Sequence, residues 1–197
     1  SLLSHGIELD EDTDVVQLIA EPSISLVEKA QALSQSQFDF HRSFLAREVS
    51  TLLPQMRTYL AIIHIIPIVR DFSLDQADVV REALASQLEK IVLYFLQFQS
   101  APPPPLPHDV FSSLFMNLLL DQNPDIAHQA RLAVGTVADN VTDDILESEI
   151  LGGVIAGLRK LYESEIDEFR IQQNGLVSAI DVDRDGEADL GKMLVVV

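Results

Sequence analysis

Apolar residues recur along this chain at intervals of three and four, the spacing that gathers them on one face of an α-helix. Leu26, Val27, Ala30 and Leu33 follow Ser25, whose hydroxyl can cap the free amides of a first turn. A second stripe, Leu45, Val49, Leu52 and Leu53, begins near Asp39 and stops at Pro54, which has no amide hydrogen to continue the ladder. Residues 57–72 are apolar almost all round, as in a helix sandwiched between neighbours, and Pro67 predicts a kink or a tight turn inside them. A fourth helix, starting at Asp75 or Asp78, keeps Val80, Leu84, Leu88, Ile91 and Phe95 in one period. Pro102 to Pro105 and Pro107 then deprive the backbone of donors, so a stiff, extended connector is expected. Further helices are predicted over about 108–120, over 124–139 with Pro124 in its first turn, and over 142–162, opened by Thr142. A polar run from Glu163 to Asn174 follows.

The helices form pairs, and the pairs repeat. The Val80-Arg81 step precedes Leu84, Leu88 and Ile91. Moving back 39 residues, His41-Arg42 precedes Leu45, Val49 and Leu52; moving forward 46, Ile126-Ala127 precedes Ala130, Val134 and Val137. A further 64 residues on, Leu190 and Leu194 open another block. Each block follows a turn rich in acid or Pro: Asp39, then Asp75 with Asp78, then Asp121 with Pro124 and Asp125, then Asp185 with Asp189. Steps of this size match the ~40–47 residue period of helix-pair solenoids. The expected fold is therefore all-α: an α-solenoid of antiparallel helix pairs over residues 22–197, three complete pairs and the start of a fourth. The longer last step places an insertion around 163–188.

Charge narrows the function. The 197 residues carry 13 Lys and Arg against 31 Asp and Glu, a net −18. Such a chain repels phosphate backbones and anionic lipid, so neither nucleic acid nor membrane is an expected partner. The longest nearly unbroken apolar run, Leu60 to Val69, is about half the ~20 residues of a spanning helix. The absence of cysteine excludes disulfides and thiolate chemistry and fits a reducing compartment, cytoplasmic or nuclear. Residues 1–21 hold many acids and no Lys or Arg. They read as a solvated, disordered acidic arm, or as an arm partly docked through Val15, Val16, Leu18 and Ile19. The apolar end, Met193 to Val197, reads as the edge of a longer array.

Candidate chemistry is sparse. Asp181-Val182-Asp183-Arg184-Asp185-Gly186 matches positions 1, 3, 5 and 6 of a calcium loop. Position 12 is Lys192, an ammonium where the bidentate carboxylate belongs, and Gly175 interrupts the helix ahead of it, so no working calcium site is expected. The five histidines never stand three or four apart, which leaves no imidazole pair for a metal. Gly152-Gly153 and Gly157 fall inside a helix without the Lys-Ser/Thr of a phosphate loop, and serve close helix approach instead. No nucleophile elbow is present, and the paired carboxylates are what a net −18 supplies. The Pro run is a connector before it is a ligand for a polyproline-binding domain. Neither enzyme activity nor a cofactor or metal is expected.

The run Asp75 to Leu84 and the Asn123-Pro124-Asp125-Ile126 turn resemble HEAT repeats, where an Asp and a Val-Arg pair mark the turn between the two helices. Phe40 to Arg47, together with the order of the later blocks and the Pro-rich connector, resembles the first repeats of regulatory subunit 1 of serine/threonine protein phosphatase 4. That HEAT-built family is related to the scaffold subunit of protein phosphatase 2A, and the resemblance covers roughly residues 22–160. It implies a non-catalytic scaffold that binds a serine/threonine phosphatase catalytic subunit through its turns and directs substrate choice. The alternative is a HEAT/armadillo adaptor in protein transport or trafficking. Partner-binding residues implied are Asp75, Asp78, Arg81, Asp121, Asp125, Asp185 and Asp189, an acidic strip whose members also cap the following helices. Ala127 and Gly191 stand where the family has basic residues, so an unbroken ladder of Asp–Arg contacts is not expected.

Overall fold

The computed structural model describes residues 7, 9–97 and 109–182, with residues 169–182 described as backbone. The chain divides into two compact units, Ser1–Val154 and Ile155–Val197.

In the first unit α1 covers Val15–Ala20, α2 Leu26–Gln35 and α3 Asp39–Leu52. Ser25 caps α2 as its hydroxyl accepts from the Glu28 amide at 3.2 Å, while the Glu28 carboxylate accepts from the Ser25 amide at 3.0 Å. A 3-10 turn, Leu53–Gln55, ends α3 at Pro54. Helix α4 spans residues 58–72; it opens as Thr58–Leu60, widens into a π turn over Ala61–Ile65 and closes as Ile66–Phe72. The π turn ends two residues before Pro67, where the Ile66 amide bonds back to the Ala61 carbonyl and Pro67 has no amide to continue the ladder.

The fourth helix is interrupted. It forms α5, Asp78–Ala85, and α6, Leu88–Leu96. Between them the Gln87 amide closes a tight turn on the Leu84 carbonyl at 2.9 Å, and the Ser50 hydroxyl of α3 donates to Gln87 Oε1 at 2.8 Å. Helix α7 is Val110–Leu119 and α8 is Pro124–Asn140, with Pro124 in its first turn. Helix α9 is Asp143–Leu146 continued by a π turn, Glu147–Leu151. Helix α10, Gly152–Val182, continues past Tyr162 through Glu163 to Asn174 and through Gly175. The polar run expected to leave the helix therefore belongs to it, as Glu, Arg and Gln are good helix formers and no Pro intervenes.

The helices of the first unit pack in two layers. In one, α2 touches α4, α4 touches α7, and α7 touches the π turn of α9. In the other, α3 lies against α5 and α6, and both lie against α8. The layers meet through α2 on α3, α4 on α5, and α7 on α8, burying Leu45, Leu84, Leu88, Phe95, Phe111 and Phe115 between them. The architecture is all-helical among the described residues. Gly153 permits the tightest approach: a Cβ there would collide with the hydroxyl of buried Ser112 on α7.

The described part of the acidic arm, from residue 9, is docked. Asp14 caps α1 by accepting from Val16 and Gln17, and Leu9, Val15, Leu18 and Ile19 pack against the core, while Val16 stays 65% exposed. In the second unit the described part of α10 exposes Ile155, Leu158, Leu161 and Tyr162.

Candidate functional site

The turns ahead of α3, α5 and α8 share one backbone device. Ser36 Oγ accepts from the Phe38 amide, Asp75 Oδ1 from the Ala77 amide and Asp121 Oδ1 from the Asn123 amide, at 3.2, 2.9 and 2.9 Å. Each of these side chains closes its turn two residues on. None occupies the N-cap: that position is Phe38 for α3, Ala77 for α5 and Asn123 for α8, with Asp39, Asp78 and Pro124 next in line. Capping by the turn acids is thus corrected. Of these three N-caps, Asn123 alone caps by side chain, accepting from the Asp125 amide at 3.0 Å.

Arginines tie the turns together. Arg42 reaches back to the Ser36 carbonyl at 2.8 Å and forward to Asp75, where Nε donates to Oδ2 at 2.7 Å and Nη2 to Oδ1 at 3.0 Å. Arg81 repeats the arrangement. It donates to the Asp75 carbonyl at 2.7 Å and to Asp121 at 2.6 and 3.2 Å. Both pairs are bidentate and partly shielded; the Asp75 and Asp121 side chains are 10% and 4% exposed. Burial would raise both carboxyls, but the facing guanidiniums and backbone amides outweigh it and hold them below the ordinary value. The hydrogen bonds that Arg42 donates to Asp75 and Arg81 donates to Asp121 in turn raise the two guanidiniums. Ala127 offers no guanidinium, and the series stops there.

The expected strip thus splits by role. Asp75, Arg81 and Asp121 come together and are spent on each other. Asp78 joins them through Arg81 Nη2 at 2.7 Å and Asn123 Nδ2 at 3.3 Å, yet remains 60% exposed. Asp125 is exposed one turn further along. Asp185 and Asp189 lie outside the described residues, as does the Pro-rich connector; of the calcium-like loop only Asp181 and Val182 are described, as helix. The rim of these turns is a shallow depression of about 430 Å³ lined by Leu74, Asp78, Arg81, Asn117 and Leu120, with Leu74 67% and Leu120 51% exposed. Arg42 and Ser36 were missed as members of the set. The signal was a Ser or Asp six residues ahead of an Arg, at Ser36/Arg42 and Asp75/Arg81. Among the described residues no cluster of acids and histidines can hold a metal, and no helix is long and apolar enough to cross a membrane.

Among the described residues this geometry defines an all-helical architecture in which successive turns are locked by arginine–aspartate pairs. Compared with known proteins, the chain matches no family model, no curated protein and no solved structure.

Proposed function

We propose that this chain is a HEAT-type solenoid acting as a non-catalytic scaffold for a serine/threonine phosphatase catalytic subunit of the protein phosphatase 4 kind. The observation that carries the repeat reading is the recurrence of one hydrogen-bond set, turn carbonyl, Arg and next-turn Asp, at Arg42 and again at Arg81. A repeated sequence step alone is generic to amphipathic helices; a repeated three-residue bonding pattern is not. The phosphatase half of the reading rests on the resemblance of Phe40 to Arg47 and of the block order. Exposed Asp78 and Asp125, flanked by exposed Leu74 and Leu120, supply the contact surface, and the partly shielded pairs hold the turns behind it.

Affinity capture on the full chain at moderate salt, read by mass spectrometry, tests this. A stoichiometric serine/threonine phosphatase catalytic subunit is expected. Transport receptors or their cargo without a phosphatase would transfer the chain to the adaptor class.

A further inference from the structure

Helices α2 and α4 touch through the π turn, Ala61–Ile65, and beyond it a groove of about 290 Å³ opens between them. One wall is the polar side of α2, with Gln31, Ser34 and Gln35. The other is a face of α4, where His64, Pro67, Ile68 and Asp71 stand at helical spacing. Buried Ile68 and Phe72 form an apolar floor, and Ile63, 51% exposed, forms the lip. The polar wall presents acceptors. The Gln31 side-chain amide donates to His64 Nδ1 at 3.4 Å and keeps its Oε1. The Ser34 hydroxyl donates to the Gln31 carbonyl at 2.9 Å and keeps its lone pairs. Asp75, at one end, is already taken by Arg42 and the Ala77 amide. Asp71 is exposed, and among the described residues no ion pair reaches it. No described Lys or Arg lines the groove.

An exposed carboxylate by itself is a solvated charge; here it stands over an apolar floor and beside neutral acceptors. We propose that the α2–α4 groove is a docking site for a basic segment of a partner protein, one arginine of which lies in it. The methylene stem of that arginine rests on Ile63, Pro67 and Ile68, and its guanidinium meets Asp71 with Gln31 Oε1 and Ser34 Oγ alongside. A guanidinium suits this lining because it has five donors, no acceptor, and a planar fork that serves a carboxylate and a neutral oxygen together. The net −18 of the chain draws such a segment in, as it would repel an acidic one. The groove meets the turn rim at Asp75 and is otherwise lined by different residues, so its guest binds whether or not a phosphatase occupies the rim.

The test is an NMR titration of the full isotope-labelled chain with the acetylated and amidated peptide Ala-Leu-Arg-Leu-Ala at low salt. Saturable amide shifts centred on residues 31–35 and 63–72 are expected. Asp71→Asn should weaken binding about fivefold, the upper worth of an exposed ion pair, while Asp139→Asn, at an exposed acid of α8, should leave it unchanged. Gln31→Lys, which tethers a cation at the groove's edge, should weaken binding as well. Replacing the peptide's arginine by citrulline, its neutral isostere, should abolish saturation. No saturable shifts at residues 31–35 and 63–72, or shifts spread over the acidic surface, overturn the proposal. Equal losses for Asp71→Asn and Asp139→Asn, undiminished binding to Gln31→Lys, or undiminished binding of the citrulline peptide overturn it too.

Discussion

One guanidinium, that of Arg81, serves the Asp75 carbonyl, Asp78 and Asp121 together. Removing it leaves a carboxylate that is 4% exposed without its counter-charge. Arg81→Met should therefore cost about 2–4 kcal/mol in chemical denaturation. Asp78→Asn, at a side chain 60% exposed, should stay within about 0.5 kcal/mol. Equal losses for the two would mean that shielding does not set the value of the pair. Protons report on the same groups. Asp75 and Asp121 titrate below the ordinary range of an aspartate, so the unfolded chain takes up protons first. Their contribution is whole above about pH 4 and is lost as pH falls through their folded values. His41 acts earlier. Burial lowers it from 6.5, more than Asp10 and the Thr13 backbone raise it, so its contribution is whole above about pH 6.5 and declines as pH drops through the window beneath. Melting temperature between pH 7.5 and 5.5 should fall in the parent and fall less steeply in a His41→Gln chain.

Among the elements, the glycines give the sharpest contrast. Gly135 lies exposed inside α8 with nothing near its missing Cβ, so Gly135→Ala should stabilise by about 0.5–1 kcal/mol. Gly153→Ala drives a methyl into buried Ser112 and should cost about 1–3 kcal/mol. Thermal melts of the two variants should move in opposite directions; the same direction for both would refute the close approach of α10 to α7. Helix starts were legible wherever a side chain announces them, as Ser25 with Glu28 and Asn123 with Pro124 do. Interruptions were legible only where a Pro marks them, as Pro67 does. The stripe Leu84, Leu88, Ile91 keeps its period through the break at Gln87, because the break is fixed by Ser50 from another helix. The π turns in α4 and α9 likewise change the ladder without changing the apolar count. Docking of residues 15–19 was one of two readings the sequence left open; the charge of the arm argued against it, and Lys29 and His41, buried on other helices, are recognisable only in the structure. The turn site was half legible: the acids stood out in sequence, but their spending on Arg42 and Arg81 needed the third dimension.

On the scale of the whole chain, a net −18 would repel an acidic partner and draw a basic one. What matters is which acids stay available. Asp75 and Asp121 are internal fasteners, while Asp78 and Asp125 face solvent. Charge reversal should separate the two roles: Asp75→Lys should lower the melting temperature by several degrees, whereas Asp78→Lys with Asp125→Lys should leave folding intact and weaken the partner complex. The most direct test is titration of purified protein phosphatase 4 catalytic subunit with the parent chain and with the Asp78→Lys/Asp125→Lys chain at two salt concentrations. The scaffold account predicts a one-to-one complex, at least tenfold weaker for the reversed chain and weaker for the parent at high salt. No complex with the parent, or one indifferent to the reversal, would contradict it.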